Sequence, residues 1–483
     1  MTNKKIAYYI LIVGFVLSLF MHLNIFKTDL IGVHLWRQSQ TQWNINNFVD
    51  QDFNILNPRT ASFNQGKDNI YRYEFPVMQW LVACFIKIFG NNILVTRISM
   101  FLLGLFTCFG LFTLFRQVTQ DYIISSLATF AFCFSPIFYY YTMNPLPDNM
   151  ALCCATWYLV YIMKLKDNIN WKNIFISAFF LLIATLSKLP YIIFGASLLV
   201  VLSKRDNFHV AFKTLLIYAL ILFPALLWYV WVIPGWNGNG IINGIINSPV
   251  TIGRGVDILI YHFHEMFPHH LMNTASTILF LFAVYFAFKE KLFRSYPFQI
   301  LLASYIMCIF YFLFEFPMIE MIHDYYMMPF LPLLFAGVCF GLKKAWYLNL
   351  YIKWAIILLV LWMPFLTYNS TQNNWSVEKS YCNKDLFTYK NELRSAVPKS
   401  EQCIILNDES IFVFAYMVDK KGHIFKNDEL QIDWVRDMIS RFKIKYMYSD
   451  SRKIDEDPDF NQYVDSLLMQ KGSIKVFKLK STI

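Results

Sequence analysis

Charged residues are scarce in this chain of 483 residues, since Asp, Glu, Lys and Arg together make up 15% of it. A soluble globular domain contains about 25% charged residues, so the composition excludes that class. Hydrophobic residues account for 57% and aromatic residues for 19%, and the mean hydropathy is +0.41. The composition therefore predicts a polytopic membrane protein that contacts membrane lipid through many of its Phe and Tyr side chains.

Motifs for metals, phosphates and nucleic acids are also missing. The nine Cys include no CxxC pair and no Cys/His spacing typical of a zinc site. Residues 262–270 contain four His around Glu265, but without the HExxH spacing. The formal net charge of +10 comes from Lys and Arg in short loops between apolar runs, which predicts membrane topology and no nucleic-acid partner. We infer no definite cofactor and leave a divalent metal open.

Long apolar runs make up most of the sequence. A spanning helix needs about 20 mostly apolar residues, and the sequence predicts about eleven of them. They are expected at residues 6–26, 94–115, 122–142, 149–163, 173–187, 190–203, 211–233, 273–288, 295–316, 327–342 and 348–367. The first is expected to be a retained helix, because no small-residue cleavage site follows it.

Residues 75–89 decide the sidedness of every later loop. If they do not span, and the N-terminus is cytoplasmic, most Lys and Arg of the short loops lie inside, as the positive-inside rule requires. If they did span, that bias would invert. We therefore expect an amphipathic interfacial helix at 75–89, an N-terminus in the cytoplasm and a C-terminus outside.

The tail after residue 369 changes character. Residues 403–406 and 444–448 are typical of short strands, residues 430–442 have helical spacing, and residues 473–479 alternate like an edge strand. We expect residues 1–368 to form an all-α transmembrane domain and residues 369–483 a small extracytoplasmic α/β domain. No phosphate-binding Gly loop is present in the tail.

Polar residues form islands on the predicted outer side. The islands are the first loop at 34–76, residues 144–149, the loop at 234–272, and residues 320–326. Several islands on one face of a membrane indicate a substrate site there.

Two carboxylates in these islands are candidates for chemistry. Glu74, just before Pro76, is either a helix-capping carboxylate at the interface or a group that acts on substrate. Asp148 is either the N-cap of a helix at 149–163 or a rigidly held general base or metal ligand.

Cations and aromatic residues in the same islands could bind phosphate. Arg37, with Trp36 and Gln38, opens a helix-like stretch that runs to about Val49, and its planar fork suits phosphate. In such a helix Trp43, Ile45 and Phe48 can face the membrane. Arg59, Lys67, Arg72 and Arg254 could join it. His323, Tyr325 and Tyr326 are either part of an interfacial aromatic belt or contacts to a lipid phosphate.

The ordered combination of these features resembles a known family. The combination is Trp36-Arg37-Gln38, Glu74-Phe75-Pro76, Arg97 at the start of the next helix, Asp148, and then His323 to Tyr326. It is similar to the GT-C membrane glycosyltransferases, and most similar to family 39, the protein O-mannosyltransferase and aminoarabinose-transferase group. The resemblance covers about the first 170 residues well and does not extend to the tail.

The resemblance implies a hexosyl- or pentosyltransferase that moves a sugar from a polyprenyl-phosphate carrier to a glycan, lipid or protein acceptor outside the membrane. It implies that Glu74 and Asp148 line the cavity, and that Arg37, His323 and Tyr325 or Tyr326 contact the carrier phosphate. The family usually has an Asp three positions before the Arg, and here that position is His34. A first-loop catalytic Asp is therefore in doubt, with His34 as a helper or phosphate contact.

Two rival functions remain. A transporter or flippase of lipid-linked saccharides would have ionisable residues inside its helices, whereas here Lys188 and Glu315 stand near predicted helix ends. A non-catalytic membrane scaffold would use the outer tail for interactions.

Overall fold

The computed structural model describes residues 3–63, 68–167, 169–205, 207–236, 244–247, 249–319, 323–406, 412–426 and 429–481. In chain order the helices are α1 (Asn3–Met21), α2 (Leu35–Asp50), α3 (Val77–Phe89), α4 (Ile93–Thr119), α5 (Tyr122–Cys133), α6 (Pro136–Tyr141), α7 (Pro147–Asp167), α8 (Trp171–Ser187), α9 (Ala196–Ser203), α10 (Phe208–Val232), α11 (Gly244–Asn247), α12 (Ile252–Tyr261), α13 (Thr274–Lys289), α14 (Tyr296–Phe314), α15 (Leu331–Trp346), α16 (Leu350–Thr371), α17 (Asp385–Thr388), α18 (Lys390–Ser395), α19 (Val413–Val418), α20 (Ile432–Phe442), α21 (Arg452–Asp455) and α22 (Pro458–Asn461). The strands are β1 (Gln402–Leu406), β2 (Lys421–Phe425), β3 (Tyr446–Ser449), β4 (Val464–Lys471) and β5 (Ile474–Leu479).

Helices that are long and apolar enough to cross a membrane make up much of the chain. Among the described residues six segments qualify: Asn3–Met21, Ile93–Thr119, Phe208–Gly235, Tyr296–Phe314, Asp324–Trp346 and Leu350–Asn374. The helical segments Ile252–Leu271 and Thr274–Lys289 meet at a bend of 113°, and they form a seventh span if the two are counted as one broken helix. Several large apolar side chains of α10 and α16 are exposed, as lipid-facing residues are. The chain is a membrane protein, and the exact number of spans stays a prediction.

Most of the predicted apolar runs agree with α-helices. Residues 190–203 and 327–342 instead begin in the 3-10 helices Leu189–Gly195 and Asp324–Phe330, and residues 122–142 contain a break. Instead of one helix at 122–142, α5 ends at Cys133 and α6 begins at Pro136. Pro136 cannot donate a backbone hydrogen bond within a helix, and the Ser135 side chain accepts one from the amide of Phe138 as an N-cap. The break was not expected from hydropathy, because both halves are apolar.

The chain divides into two compact units. The first consists of Met1–Thr28, Tyr73–Met78 and Asn92–Gln372. The second consists of Asp29–Arg72, Gln79–Asn91 and Asn373–Ile483. The second unit therefore contains residues 34–72 of the first loop and most of α3 in addition to the polar tail. The domain boundary at 368/369 stays a prediction.

In the first unit, α7 packs against α4 and α8. The turn before α7 is fixed by Arg97 of α4, which is fully buried. The Arg97 guanidinium donates to the Met143 carbonyl (2.7 Å) and to Oδ1 of Asn144 (2.5 Å). Asn149 donates to the carbonyls of Tyr141 (2.8 Å) and Asn144 (3.0 Å). A buried cation is thus satisfied by backbone and amide oxygens, and it holds the turn from which α7 begins.

The second unit contains a five-stranded sheet in the order β2-β1-β3-β5-β4. The strand β1 is parallel to β2 and β3, whereas β5 is antiparallel to β3 and β4. The helix α20 packs its apolar face, including Val435, Met438 and Ile439, on the core of the sheet. The first loop joins the β2 edge, because the Gly422 amide donates to Ala61 (3.0 Å) and the Phe63 amide donates to Gly422 (2.9 Å).

Two expectations for this unit are wrong in detail. The strand at 473–479 is not at an edge: β5 lies between β3 and β4, and β4 is the outer strand. Trp43, Ile45 and Phe48 of α2 do not face the membrane, because all three are buried within the protein. The helix itself is confirmed, since α2 spans Leu35–Asp50.

Candidate active site

Asp148 lies in the first turn of α7, where Pro147 is the first residue. It is therefore not the N-cap of a helix at 149–163, because Pro147, which needs no amide partner, already begins the helix. Asp148 is buried, and its Oδ2 lies 3.6 Å from Nζ of Lys188 at the end of α8. A carboxylate this buried needs a nearby cation, and Lys188 supplies it.

Aromatic rings surround the Lys188 ammonium group. Its Nζ lies 4.9 Å from the ring centroid of Tyr326 and 5.7 Å from that of Tyr325. The His323 ring stacks on Tyr326 with centroids 5.2 Å apart and planes 25° from parallel. The structure thus brings together four of the predicted site residues, namely Asp148, His323, Tyr325 and Tyr326.

The segment that carries these rings is held by a partly buried hydrogen bond. The 3-10 helix Asp324–Phe330 follows His323 directly. The Tyr141 hydroxyl, at the end of α6, donates to Oδ1 of Asp324 at 2.5 Å. The Tyr141 and Tyr325 rings also meet edge to face, 5.8 Å apart. These contacts fix the position of Tyr325 and Tyr326 relative to the helices of the first unit.

Glu74 lies in a segment clamped by the ends of α8 and α10. The Phe75 amide donates to the Leu186 carbonyl at 2.9 Å. The Trp228 indole donates to the Tyr73 carbonyl at 3.1 Å, and its ring meets Phe75 edge to face at 4.8 Å. The Glu74 carboxylate interacts electrostatically with the Tyr229 hydroxyl, as Asp148 also does.

Glu315, the first residue beyond α14, belongs to the same cluster. Its side chain is buried and interacts electrostatically with Lys188. Burial raises the pKa of Glu315 to about 7, and the Lys188 charge opposes that rise. The first unit thus holds two acidic groups that interact with one lysine, Asp148 and Glu315.

An apolar groove of about 810 Å³ lies in the first unit beside Glu315. It is lined almost entirely by carbon atoms of α11, α12 and the end of α14. Phe314 and Phe316, the two neighbours of Glu315, both line it. The Phe316 ring packs edge to face on Phe312, 5.2 Å away. We call this feature the apolar groove.

His34, Arg37 and Gln38 lie in the second unit. His34 precedes α2 in the left-handed conformation, with φ 54°, and a non-Gly residue there is uncommon. Arg37 is buried and donates to Oε1 of Gln40. Gln38 is buried and donates to the Val33 carbonyl at 2.8 Å. Their roles as phosphate contacts stay predictions.

Arg59 and Arg72, also in the second unit, hold the first loop together. Arg59 donates to Oδ1 of Asn69 (3.0 Å) and lies 3.4 Å from Oδ2 of Asp52. Arg72 donates to the Leu56 carbonyl at 2.9 Å and to Asn57 at 3.1 Å. Burial lowers the pKa of Arg72. Phosphate contacts by these residues stay predictions, and Lys67 and Glu320 lie outside the described residues.

No group of three or more His, Cys, Asp or Glu side chains that could hold a metal ion occurs in the described part of the chain. The described residues therefore form no ready metal site. The His-rich stretch with Glu265 forms a π-helix, His262–Leu271.

Lys188 and Glu315 are the members of this cluster that the sequence did not single out for chemistry. Both follow long apolar helices directly. The available signal was an ionisable residue at the end of a spanning helix, since such residues are expensive near a membrane and are often functional.

Comparisons with known proteins agree with this description. Residues 74–231, about a third of the chain, match a family model described as dolichyl-phosphate-mannose-protein mannosyltransferase. No curated protein sequence matches the chain.

Solved structures match over nearly the whole chain. The structure of ArnT from Cupriavidus metallidurans in the apo state has a TM-score of 0.66 at 10% identity, covering 98% of both chains. ArnT bound to undecaprenyl phosphate has the same TM-score and identity, covering 98% of this chain and 97% of ArnT. The Archaeoglobus fulgidus oligosaccharyltransferase in the apo form has a TM-score of 0.58 at 13% identity, covering 92% of this chain and 69% of its own. The predicted resemblance and fold class are therefore confirmed: the chain has the fold of the GT-C membrane glycosyltransferases.

Proposed function

We propose that this membrane glycosyltransferase, with its GT-C-like fold, transfers one sugar from a polyprenyl-phosphate carrier to an acceptor hydroxyl group at the extracytoplasmic face. The observation that carries the proposal is the buried pair of Asp148 and Lys188 under the rings of Tyr325 and Tyr326. A carboxylate, a cation and two tyrosine rings that lie together in one unit support these roles.

The apolar groove supports a donor with an isoprenoid chain. Its lining is almost entirely apolar and includes Phe314 and Phe316, the two neighbours of Glu315, which itself interacts with Lys188. A polyprenyl-phosphate sugar has the same division into an apolar chain and an anionic head. Other proteins of this fold bind such carriers: ArnT was solved with undecaprenyl phosphate, and the archaeal oligosaccharyltransferase AglB with a dolichol phosphate and an inhibitory peptide.

In the proposed reaction the acceptor oxygen attacks the anomeric carbon of the sugar. Asp148 accepts the proton of the acceptor hydroxyl group as general base. The bond between the anomeric carbon and the phosphate oxygen breaks, and its electron pair leaves with the phosphate. Lys188 and the tyrosine hydroxyl groups stabilise the charge on that phosphate. Attack opposite the phosphate inverts the anomeric centre.

Glu74 has a supporting role in this scheme. Its segment is fixed by Leu186 and Trp228, so its carboxylate is well placed to orient the acceptor or a sugar hydroxyl. The positioning of a reactant contributes to catalysis by removing its freedom before the reaction.

The distribution of Lys and Arg among the short loops supports a membrane topology for the chain. We propose a multi-pass protein of the cell membrane with a cytoplasmic N-terminus, an interfacial α3 and an extracytoplasmic C-terminal domain. Labelling of single introduced Cys residues, one before α1 and one in the tail, with a membrane-impermeant thiol reagent tests this topology. The tail should react in intact cells and the N-terminus only after lysis.

The reaction is tested with the purified full-length protein in nanodiscs and a panel of polyprenyl-phosphate sugars, with released polyprenyl phosphate as the product measured. The wild type should release it from at least one donor, and Asp148→Asn and Glu74→Gln should not. Asp167→Asn, which changes an exposed Asp on the same helix, and Glu290→Gln are matched controls that should behave as wild type. Normal release of polyprenyl phosphate by both Asp148→Asn and Glu74→Gln would contradict the proposed function. Failure to bind any donor would favour a transporter or scaffold.

A further inference from the structure

Glu315 is a buried acidic group that the reaction scheme above does not use. Its side chain is 4% exposed. The backbone fixes its position, because its amide donates to the Tyr311 carbonyl and its own carbonyl accepts from the amides of Met318 and Ile319. Its Oε2 has no hydrogen-bond partner among the described residues. Buried polar atoms in native proteins are generally hydrogen-bonded, so this atom is suited to a partner that arrives with a ligand.

The surroundings of Glu315 indicate what that ligand is. Phe314 and Phe316 line the apolar groove, whereas the Glu315 side chain interacts electrostatically with Lys188. Lys188 in turn lies 3.6 Å from Asp148. Glu315 therefore lies between the apolar groove and the charged cluster. In a bound amphipathic ligand this is the position of the junction between the head group and the apolar chain.

We propose that the Glu315 carboxyl group is a donor-binding group, and that its O–H donates a hydrogen bond to a phosphate oxygen of the carrier whose chain lies in the apolar groove. This inference rests on the proposed function and adds a residue to it. Glu315 takes no part in bond making or breaking.

The protonation state of Glu315 suits this role. A carboxylate only accepts hydrogen bonds, whereas a protonated carboxyl group also donates one. Since burial raises the pKa to about 7, much of the population is protonated near neutral pH. As the pH rises through 7 the proton is lost, and the resulting carboxylate repels phosphate. Two titratable groups interact electrostatically with Glu315, namely Lys188 and Tyr311. Tyr311 also interacts with Asp148, Tyr191 and Tyr326, which therefore lie in the same surroundings.

The test is the affinity of the full-length protein in nanodiscs for polyprenyl phosphate, measured at pH 6 and pH 8. Glu315→Gln keeps the shape of the side chain and an N–H donor at both pH values. Glu315→Ala removes the donor. Glu290→Gln, on a Glu that pairs with Lys344 away from the cluster, is the matched control. Polyprenol, which lacks the phosphate, is the second probe.

Between pH 6 and pH 8, the affinity of wild type and of Glu290→Gln for polyprenyl phosphate should fall about tenfold more than the affinity of Glu315→Gln. A tenfold difference is the size expected for one hydrogen bond to a charged group. Glu315→Ala should bind weakly at both pH values, and no variant should change polyprenol binding. The phosphate and all other side chains are the same in wild type and Glu315→Gln, so the difference between their pH profiles reports Glu315.

Two results would overturn the inference, and they are distinguishable. If the wild type binds polyprenyl phosphate well and Glu315→Gln follows its pH profile within twofold, Glu315 is not a donor-binding group, while the proposed function stands. If the wild type binds polyprenyl phosphate no better than polyprenol, the proposed donor class fails and the inference with it. Should Glu315→Ala fail to fold, the comparison of wild type with Glu315→Gln decides.

Discussion

Nζ of Lys188 lies 3.6 Å from Oδ2 of Asp148, and this ion pair joins the first residue after α8 to the first turn of α7. The Asp148 side chain is 2% exposed and the Lys188 side chain 15%. Neither charge is well hydrated, so each depends on the other and on the surrounding rings. The pair is therefore a structural element and, in the proposed reaction, the base and the cation of the site.

Replacing Lys188 should damage both stability and activity. In Lys188→Gln the buried Asp148 loses its cation, and breaking a buried pair by removing one partner costs about 3 kcal/mol or more. We expect a lower thermal unfolding temperature in detergent and a transfer rate reduced on the order of 100-fold, the size seen when one charge-stabilising donor is lost. Lys172→Gln, at an exposed Lys on α8, should change neither.

The double variant separates the two roles of the pair. Asp148→Asn combined with Lys188→Gln has no buried charge left at this position, so its unfolding temperature should recover towards that of the wild type. Its transfer activity should stay absent, because the base is gone. Recovery of activity together with stability would contradict the role of Asp148 as base.

The hydrogen bond between Tyr141 and Asp324 should control donor binding. Tyr141→Phe removes the hydroxyl group that holds the segment carrying Tyr325 and Tyr326. A hydrogen bond to a charged group contributes about 1.5–3 kcal/mol, so we expect lower stability and a raised KM for the donor. Asp324→Asn keeps an oxygen acceptor for Tyr141 and should have the smaller effect. Equal, wild-type kinetics for both variants would argue against this anchoring.

The Trp228 indole should position Glu74. Trp228→Phe keeps an aromatic ring beside Phe75 but removes the hydrogen bond to the Tyr73 carbonyl. Because the segment becomes looser, the transfer rate should fall severalfold, with only a small change in unfolding temperature. Trp362→Phe, at an exposed Trp of α16, is the control that should keep wild-type rates. If Trp228→Phe is as active as this control, the hydrogen bond from Trp228 to the Tyr73 carbonyl does not contribute to the transfer rate.

Gly422 should be required for the contact between the first loop and β2 in the second unit. A Cβ atom at Gly422 would lie 1.9 Å from the Cys403 carbonyl oxygen, and the neighbouring strand cannot easily move away. Gly422→Ala should therefore lower the unfolding temperature and make the loop near Ala61 more sensitive to protease. Gly253→Ala places its Cβ in open space and should be neutral. Protease resistance equal to the wild type would contradict the close approach.

Much of the fold was predictable because the hydrophobic pattern has a direct physical cause. Long apolar runs become helices in a membrane, since every backbone group must be satisfied within the segment, and the runs ending near Ser187 and Phe314 have almost the bounds expected. The strands β1 and β3 were found because their residues are apolar and β-branched or aromatic. The strands β2 and β4 were missed, because neither alternates clearly between buried and exposed positions.

The site was only half predictable. Asp148, His323, Tyr325 and Tyr326 stood out as polar residues between apolar helices, and the fold brings them together. The partnership of Asp148 with Lys188 could not be inferred, because it depends on how α7 packs on α8 and no local pattern encodes it. The same holds for Glu315, whose importance comes from its burial beside Lys188.

The central claim is that Asp148 takes the acceptor proton as the sugar leaves its carrier. The most direct measurement compares donor binding and single-turnover release of polyprenyl phosphate in wild type, Asp148→Asn and Asp167→Asn, at saturating donor and acceptor. We predict that all three bind the donor and that release by Asp148→Asn alone falls on the order of 1,000-fold, as expected for loss of a general base. Release by Asp148→Asn at the rate of Asp167→Asn would contradict the account.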